Sequence, residues 1–111
     1  MQRICALEDV PDDDAIGVTT ALGEVVVVRQ GGAVFAYRNE CPHLGIELNF
    51  MPDVFLDTEH RYIQCANHGA LFQIEDGLCV FGPCQGESLV VLKAQVIDGG
   101  VWLDAAAVKK D

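Results

Sequence analysis

A chain of 111 residues is long enough for one hydrophobic core and too short for two independent domains. Half of its residues are apolar, so the sequence is globular and not disordered. Seventeen acidic against seven basic residues leave a formal net charge of −10, which repels phosphate backbones and argues against nucleic acid as a partner.

The same charge suits docking against a basic protein face, and it equally serves solubility. No secretory h-region follows Met1, because Arg3, Glu8, Asp9 and the run Asp12-Asp13-Asp14 interrupt the N-terminus. The longest aliphatic run, Val25 to Val28, ends at Arg29 and is far too short to span a bilayer. A cytoplasmic protein with no membrane contact is expected. Five cysteines is an odd number, and in a reducing compartment thiols serve as metal ligands or small buried apolar groups.

The dominant period is two, with turn residues at short intervals, so an all-β fold is expected. Cys5 alternates with Ile4 and Ala6 in a first strand and reads as a buried, inert thiol. Residues 23–30 form a β-branched strand, Gly31-Gly32 a hairpin turn, and 33–38 the returning partner that delivers the chain to Cys41. Strands over 61–65 and 70–75 follow, and Asp76-Gly77 turns the chain into 78–81. Residues 89–97 and 101–104 close the fold as a hairpin around Asp98-Gly99-Gly100; only Ala105-Ala106-Ala107 hints at a helix. The predicted architecture is one domain: a β base (about 1–40 and 87–111) carrying an inserted subdomain (about 41–86).

Two motifs carry the chemistry: Cys41-Pro42-His43-Leu44-Gly45 and Cys65-Ala66-Asn67-His68-Gly69. Each sets a thiol and an imidazole in one tight loop leaving a strand. Gly45 and Gly69 permit a positive φ, and Pro42 stiffens the first loop. A Cys2His2 set suits zinc or an iron–sulfur cluster. Zinc fingers pair Cys with Cys on a hairpin and His with His on a helix, and no such helix is legible here. A dinuclear cluster, with both cysteines on one iron and both histidines on the other, explains the mixed loops better.

These C-x-H-x-G and C-x-x-H-G elements, with Gly82-Pro83-Cys84 as a covering proline loop, resemble the Rieske family over most of the chain. The resemblance implies an antiparallel β sandwich or barrel base with an inserted cluster-binding subdomain. It also implies one [2Fe-2S] cluster held by Cys41, His43, Cys65 and His68. The 21 residues between His43 and Cys65 are more than many small relatives have. High-potential family members carry an extra cysteine in each loop, where Ile46 and Asn67 stand here. They also carry a Ser and a Tyr where this chain has Ala70 and Phe72, neither of which donates from its side chain. Fewer donors to sulfur place the expected potential near the low end of the Rieske range, roughly −150 mV.

Oxygenase catalytic subunits typically have Arg after the first histidine, where Leu44 stands, and a mononuclear-iron domain for which no residues remain. The expected function is therefore a ferredoxin carrying single electrons from a flavin-dependent reductase to a terminal oxygenase or other reductase. The alternatives are an accessory or redox-sensing subunit of a larger enzyme such as nitrite reductase, and a structural zinc module. Of the remaining residues, His60 lies in a polar run and reads as solvated. The spacing leaves room for Cys79 and Cys84 to approach one another across the proline loop, a reducing compartment argues against a disulfide between them, and Cys84 is expected close to the cluster. Phe50, Met51, Val54, Phe55 and Leu56 read as packing beneath the inserted subdomain.

Overall fold

Strand formers and tight-turn residues dominate the chain, and the computed structural model, which describes residues 2–21, 23–42, 47–49, 53–66 and 69–104, is correspondingly all-β. In chain order the strands are β1 (Gln2–Ala6), β2 (Asp14–Thr20), β3 (Gly23–Gln30), β4 (Ala33–Arg38), β5 (Tyr62–Gln64), β6 (Leu71–Gln73), β7 (Cys79–Phe81), β8 (Val91–Leu92), β9 (Ala94–Ile97) and β10 (Gly100–Leu103). Among the described residues the one helical piece is a 3-10 turn, Leu7–Asp9. The strands form three antiparallel sheets, ordered β1-β10-β9, β2-β3-β4-β8 and β5-β6-β7.

The four-stranded sheet is the middle layer, and β3 shows why. Val25 to Val28 are all buried, yet they divide by parity between two cores. Val25 and Val27 pack with Val10, Ala36, Leu92, Val101 and Leu103, toward the β1-β10-β9 sheet. Val26 and Val28 pack with Tyr37, Ile63, Phe72 and Ile74, toward the β5-β6-β7 sheet. An unbroken valine run is what a strand covered on both faces requires. The β3–β4 turn is built on Gly31 and Gly32, both at positive φ, and β9–β10 turns through Asp98 and Gly99, also both positive.

Several expectations change. β2 was not legible, because Asp14, Gly17, Thr19 and Thr20 dilute its apolar content. It is held by seven consecutive pairings with β3 and by Thr19 Oγ1 donating to Glu24. The single strand expected over 89–97 is two: β8 pairs with β4, and beyond Lys93 β9 pairs with β10, so the chain changes sheets there. The strands expected over 61–65 and 70–75 shorten to β5 and β6. Cys5 is half-buried against the outer core rather than fully enclosed, and burial pushes its thiol pKa up. Phe55 is buried and Leu56 packs on the same core, but Val54 is exposed. Phe50, Met51 and the Ala105-Ala106-Ala107 tail lie outside the described residues. No helix among the described residues is long and apolar enough to cross a membrane.

Candidate metal centre

The first cysteine loop begins where β4 ends. Beyond Arg38, the amide of Asn39 still donates to Glu24 O at 2.9 Å, which holds the chain on β3 for one more residue. Asn39 is buried and its side chain works in both directions. Its Oδ1 accepts from the Leu48 amide at 2.7 Å, and its Nδ2 donates to Asn49 Oδ1 at 3.0 Å. The far end of the loop is thereby tied back to its start, with Cys41 between them at 1% exposure.

The second loop follows β5. Cys65 donates its amide to Ala70 O at 2.9 Å and accepts from the Gly69 amide at 2.8 Å, closing a tight turn. Gly69 sits at φ 67°, the left-handed conformation its lack of a Cβ permits. Cys65 is fully buried. Among the described residues one backbone bond joins the loops: the Ala66 amide donates to Leu48 O at 2.8 Å. Both thiols therefore belong to one core, between the middle sheet and the β5-β6-β7 sheet.

The proline loop leaves β7 and folds onto the second cysteine loop. A Cβ on Gly82 would lie 2.8 Å from Ala70 Cα, so only glycine permits this approach, and its φ of 110° points the same way. The loop is closed by Gln85 N to Gly82 O, Gly86 N to Cys79 O and Glu87 N to Cys84 O. Beneath it Cys84 Sγ donates to Cys79 Sγ at 3.0 Å, and Cys79 Sγ donates to Phe81 O at 3.3 Å. Burial first, then the bond to Cys79 and the charges of Cys79 and Cys41, push the Cys84 pKa up to about 12. Cys84 shares the core of Cys41, and its proton is directed at Cys79.

One further contact seats the site's sheet on the middle layer. Tyr37 Oη donates to Ile74 O at 2.5 Å, and the ring leaves no room for a Cβ on Gly77, which would lie 2.8 Å from Tyr37 Cε1. Burial, with Asp76 and Glu75 adding to it, raises the phenol pKa above its ordinary value. Beside Asn39 opens a polar cleft of about 300 Å³ whose walls include Glu24, Glu47 and Asp53, so the flank of the first loop is acidic.

The donor chemistry fits an iron–sulfur group. Cys41 and Cys65 supply two thiols screened from water in one core, and the loops that bear them are cross-linked at Leu48 and Ala66. His43 and His68 lie outside the described residues, as do Leu44, Gly45, Ile46 and Asn67. His60 is exposed and its Nδ1 lies 2.6 Å from Asp13 O, so it fastens the intervening loop near the start of β2. Asp53 does the same through the Gly17 amide at 2.8 Å. Asn39 is the site residue that sequence reasoning missed. Its one signal was a polar residue between a strand and a cysteine, which many loops share.

Known proteins point the same way. A family model described as the Rieske [2Fe-2S] domain matches residues 1–99. The ferredoxin component of the naphthalene 1,2-dioxygenase system of Pseudomonas aeruginosa is 32% identical over 78 residues, 70% of each chain. Cholesterol 7-desaturase of Caenorhabditis elegans is 31% identical over 81 residues, 72% of this chain; the match spans only 18% of that larger protein. Among solved structures, a chain in the complex of reduced oxygenase and oxidized ferredoxin in carbazole 1,9a-dioxygenase superposes with a TM-score of 0.77 at 25% identity. That match covers 98% of this chain and 95% of the other.

Proposed function

The chain belongs to the Rieske [2Fe-2S] domain family, and from that premise we propose that it is a ferredoxin-type carrier of single electrons. In this reading Cys41, His43, Cys65 and His68 hold one [2Fe-2S] cluster. Electrons arrive from a flavin-dependent reductase and leave to a terminal oxygenase or other reductase, in the cytoplasm. The observation that carries it is the burial of the Cys41 and Cys65 thiols in one core, on loops joined by the Ala66–Leu48 hydrogen bond. The segment 41–86 is the cluster-binding subdomain and the rest of the fold its base.

When bound, the cluster supplies a one-electron couple. The chain's own residues do the remainder. Cys41 and Cys65 provide soft, water-excluded donors. Asn39 and Leu48 keep the loops in fixed relation, so little reorganisation accompanies a change of charge. Ala70 and Phe72, both buried, leave the sulfur side without hydroxyl donors and favour a low potential. The acidic surface, Glu24, Glu47 and Asp53 included, steers a basic docking face toward the first loop. Phe81, 62% exposed beside Gly82, offers that partner an apolar contact.

The test is stopped-flow mixing of reduced protein with the oxygenase of a ring-hydroxylating system. Reoxidation that speeds with oxygenase concentration and slows with added salt supports the carrier role. A cluster that is reduced and reoxidised only by small mediators, never by a partner protein, contradicts it.

A further inference from the structure

Four of the five cysteines share one core, yet the proposed ligation uses only two of them. Cys79 and Cys84 remain, both buried, and they are joined through their thiols. Cys84 Sγ donates to Cys79 Sγ at 3.0 Å, and Cys79 Sγ donates to Phe81 O at 3.3 Å. The carbonyl at the end sets the direction of this relay. Oxygen is a better acceptor than sulfur, so the Cys79 proton goes to Phe81 O and the Cys79 lone pairs stay open to the proton of Cys84. The backbone fixes both members: the Cys79 amide donates to Glu87 O at 2.8 Å, Cys79 O accepts from Gly86, and Cys84 O accepts from Glu87. Burial pushes the Cys84 pKa up to about 12, so its proton is in place at any ordinary pH. Cys41 lies in the same core, and its charge helps to raise that pKa. A thiol rotates about its Cβ–Sγ bond, and a ligand sulfur carrying negative charge accepts more strongly than a neutral one. Cys84 therefore has two acceptors to choose from, and the relay decides for Cys79.

We infer that Cys79 is a positioning residue that keeps the midpoint potential low by holding the Cys84 proton away from the Cys41 ligand sulfur. The role rests on the ligation by Cys41 and Cys65 proposed above. A donor to a ligand sulfur stabilises the reduced state more than the oxidised one, because the sulfur is more negative after reduction. With its proton on Cys79, Cys84 turns lone pairs and no donor toward the remainder of the core. The protein thus keeps a thiol in the core of its ligands without the rise in potential that a thiol donor would bring. This acts in the same direction as the missing hydroxyls at Ala70 and Phe72. Cys5 packs in the other core and takes no part.

The test compares midpoint potentials of holoproteins by protein-film voltammetry. Cys79→Ala removes the acceptor and frees the Cys84 proton, so the potential should rise and the equilibrium constant for reduction should increase several-fold. Cys79→Ser keeps a donor for Phe81 O and an acceptor for Cys84, and it should stay near wild type. Cys84→Ala has no proton to redirect and should show no rise, and Cys79→Ala combined with Cys84→Ala should lose the rise of Cys79→Ala alone. No rise in Cys79→Ala would overturn the inference. So would an equal rise in the double variant, which would trace the effect to repacking. Infrared spectra of the wild type give a readout that needs no loaded variant. The S–H stretching band that is missing from Cys84→Ala should barely move when wild-type protein is reduced with dithionite. A marked downward move would place the Cys84 proton on a ligand sulfur already and overturn the inference as well. A wild-type chain that assembles no iron–sulfur chromophore overturns the ligation itself, whereas an unmoved potential in loaded Cys79→Ala overturns only the role of Cys79.

Discussion

Asn39 Oδ1 receives the amide proton of Leu48 at 2.7 Å, nine residues ahead in the chain, and Leu48 O in turn receives that of Ala66. One buried amide thus ties the feet of both cysteine loops. Asn39→Leu should leave the Leu48 amide without its acceptor and cost about 1–3 kcal/mol of stability. Asn39→Asp keeps an acceptor for Leu48, but it loses the bond to Asn49 and sets a carboxylate beside Glu24, Glu47 and Asp53. Iron retained after purification, read beside urea unfolding, should rank wild type above Asn39→Asp and Asn39→Asp above Asn39→Leu.

Gly82 sets how closely the proline loop approaches Ala70. Gly82→Ala places a Cβ 2.8 Å from Ala70 Cα at a φ of 110°, so overpacking and backbone strain act together. A cost of about 2–3 kcal/mol is expected, with faster cluster loss under chelator. Gly86→Ala shares the positive φ but meets nothing within 4 Å, so it should cost less. Thermal melts of the two variants separate contact from conformation.

Tyr37 links the middle sheet to the sheet of the site through Ile74 O. Its pKa in the fold is raised above the ordinary value of 10.0, so the folded state keeps its proton where the unfolded state has lost it. The resulting stability is complete below about pH 10 and declines as pH rises toward the folded value. Tyr37→Phe should therefore be less stable than wild type at pH 8, and the gap should narrow above pH 10. A gap that widens in alkali would show the phenol to be ionised in the fold.

Ala70 and Phe72 are both fully buried in the core that holds Cys65, and Ala70 O accepts from the Cys65 amide. Ala70→Ser with Phe72→Tyr adds two hydroxyls on the sulfur side, and a donor stabilises sulfur more after reduction. The midpoint potential should rise in protein-film voltammetry. No upward shift in a correctly folded double variant would mean that these positions do not face the sulfurs.

The parts of the fold that were legible in advance are those decided locally. The β3–β4 hairpin needed two residues at positive φ, and Gly31-Gly32 announced them. The cysteine loops were visible because a thiol and an imidazole at such spacing have few other uses. What stayed hidden depends on partners distant in sequence. β2 is defined by its pairing with β3, and the change of sheets at Lys93 by β4 and β10 competing for one segment. Asn39 and Tyr37 act through acceptors and donors that only the folded chain brings near. His60 is exposed, as its polar run led one to expect, yet its bond to Asp13 O could not be read from that run.

The central claim is that two thiols and two imidazoles hold one cluster, and pulsed EPR of the dithionite-reduced protein tests it most directly. The expected result is one paramagnetic centre per chain, coupled to two histidine nitrogens and unchanged in His60→Ala. Cys41→Ser and Cys65→Ser should each abolish the signal, because in the proposed ligation both thiolates serve the same iron. A signal without nitrogen coupling, coupling that disappears in His60→Ala, or a diamagnetic protein carrying zinc would contradict it.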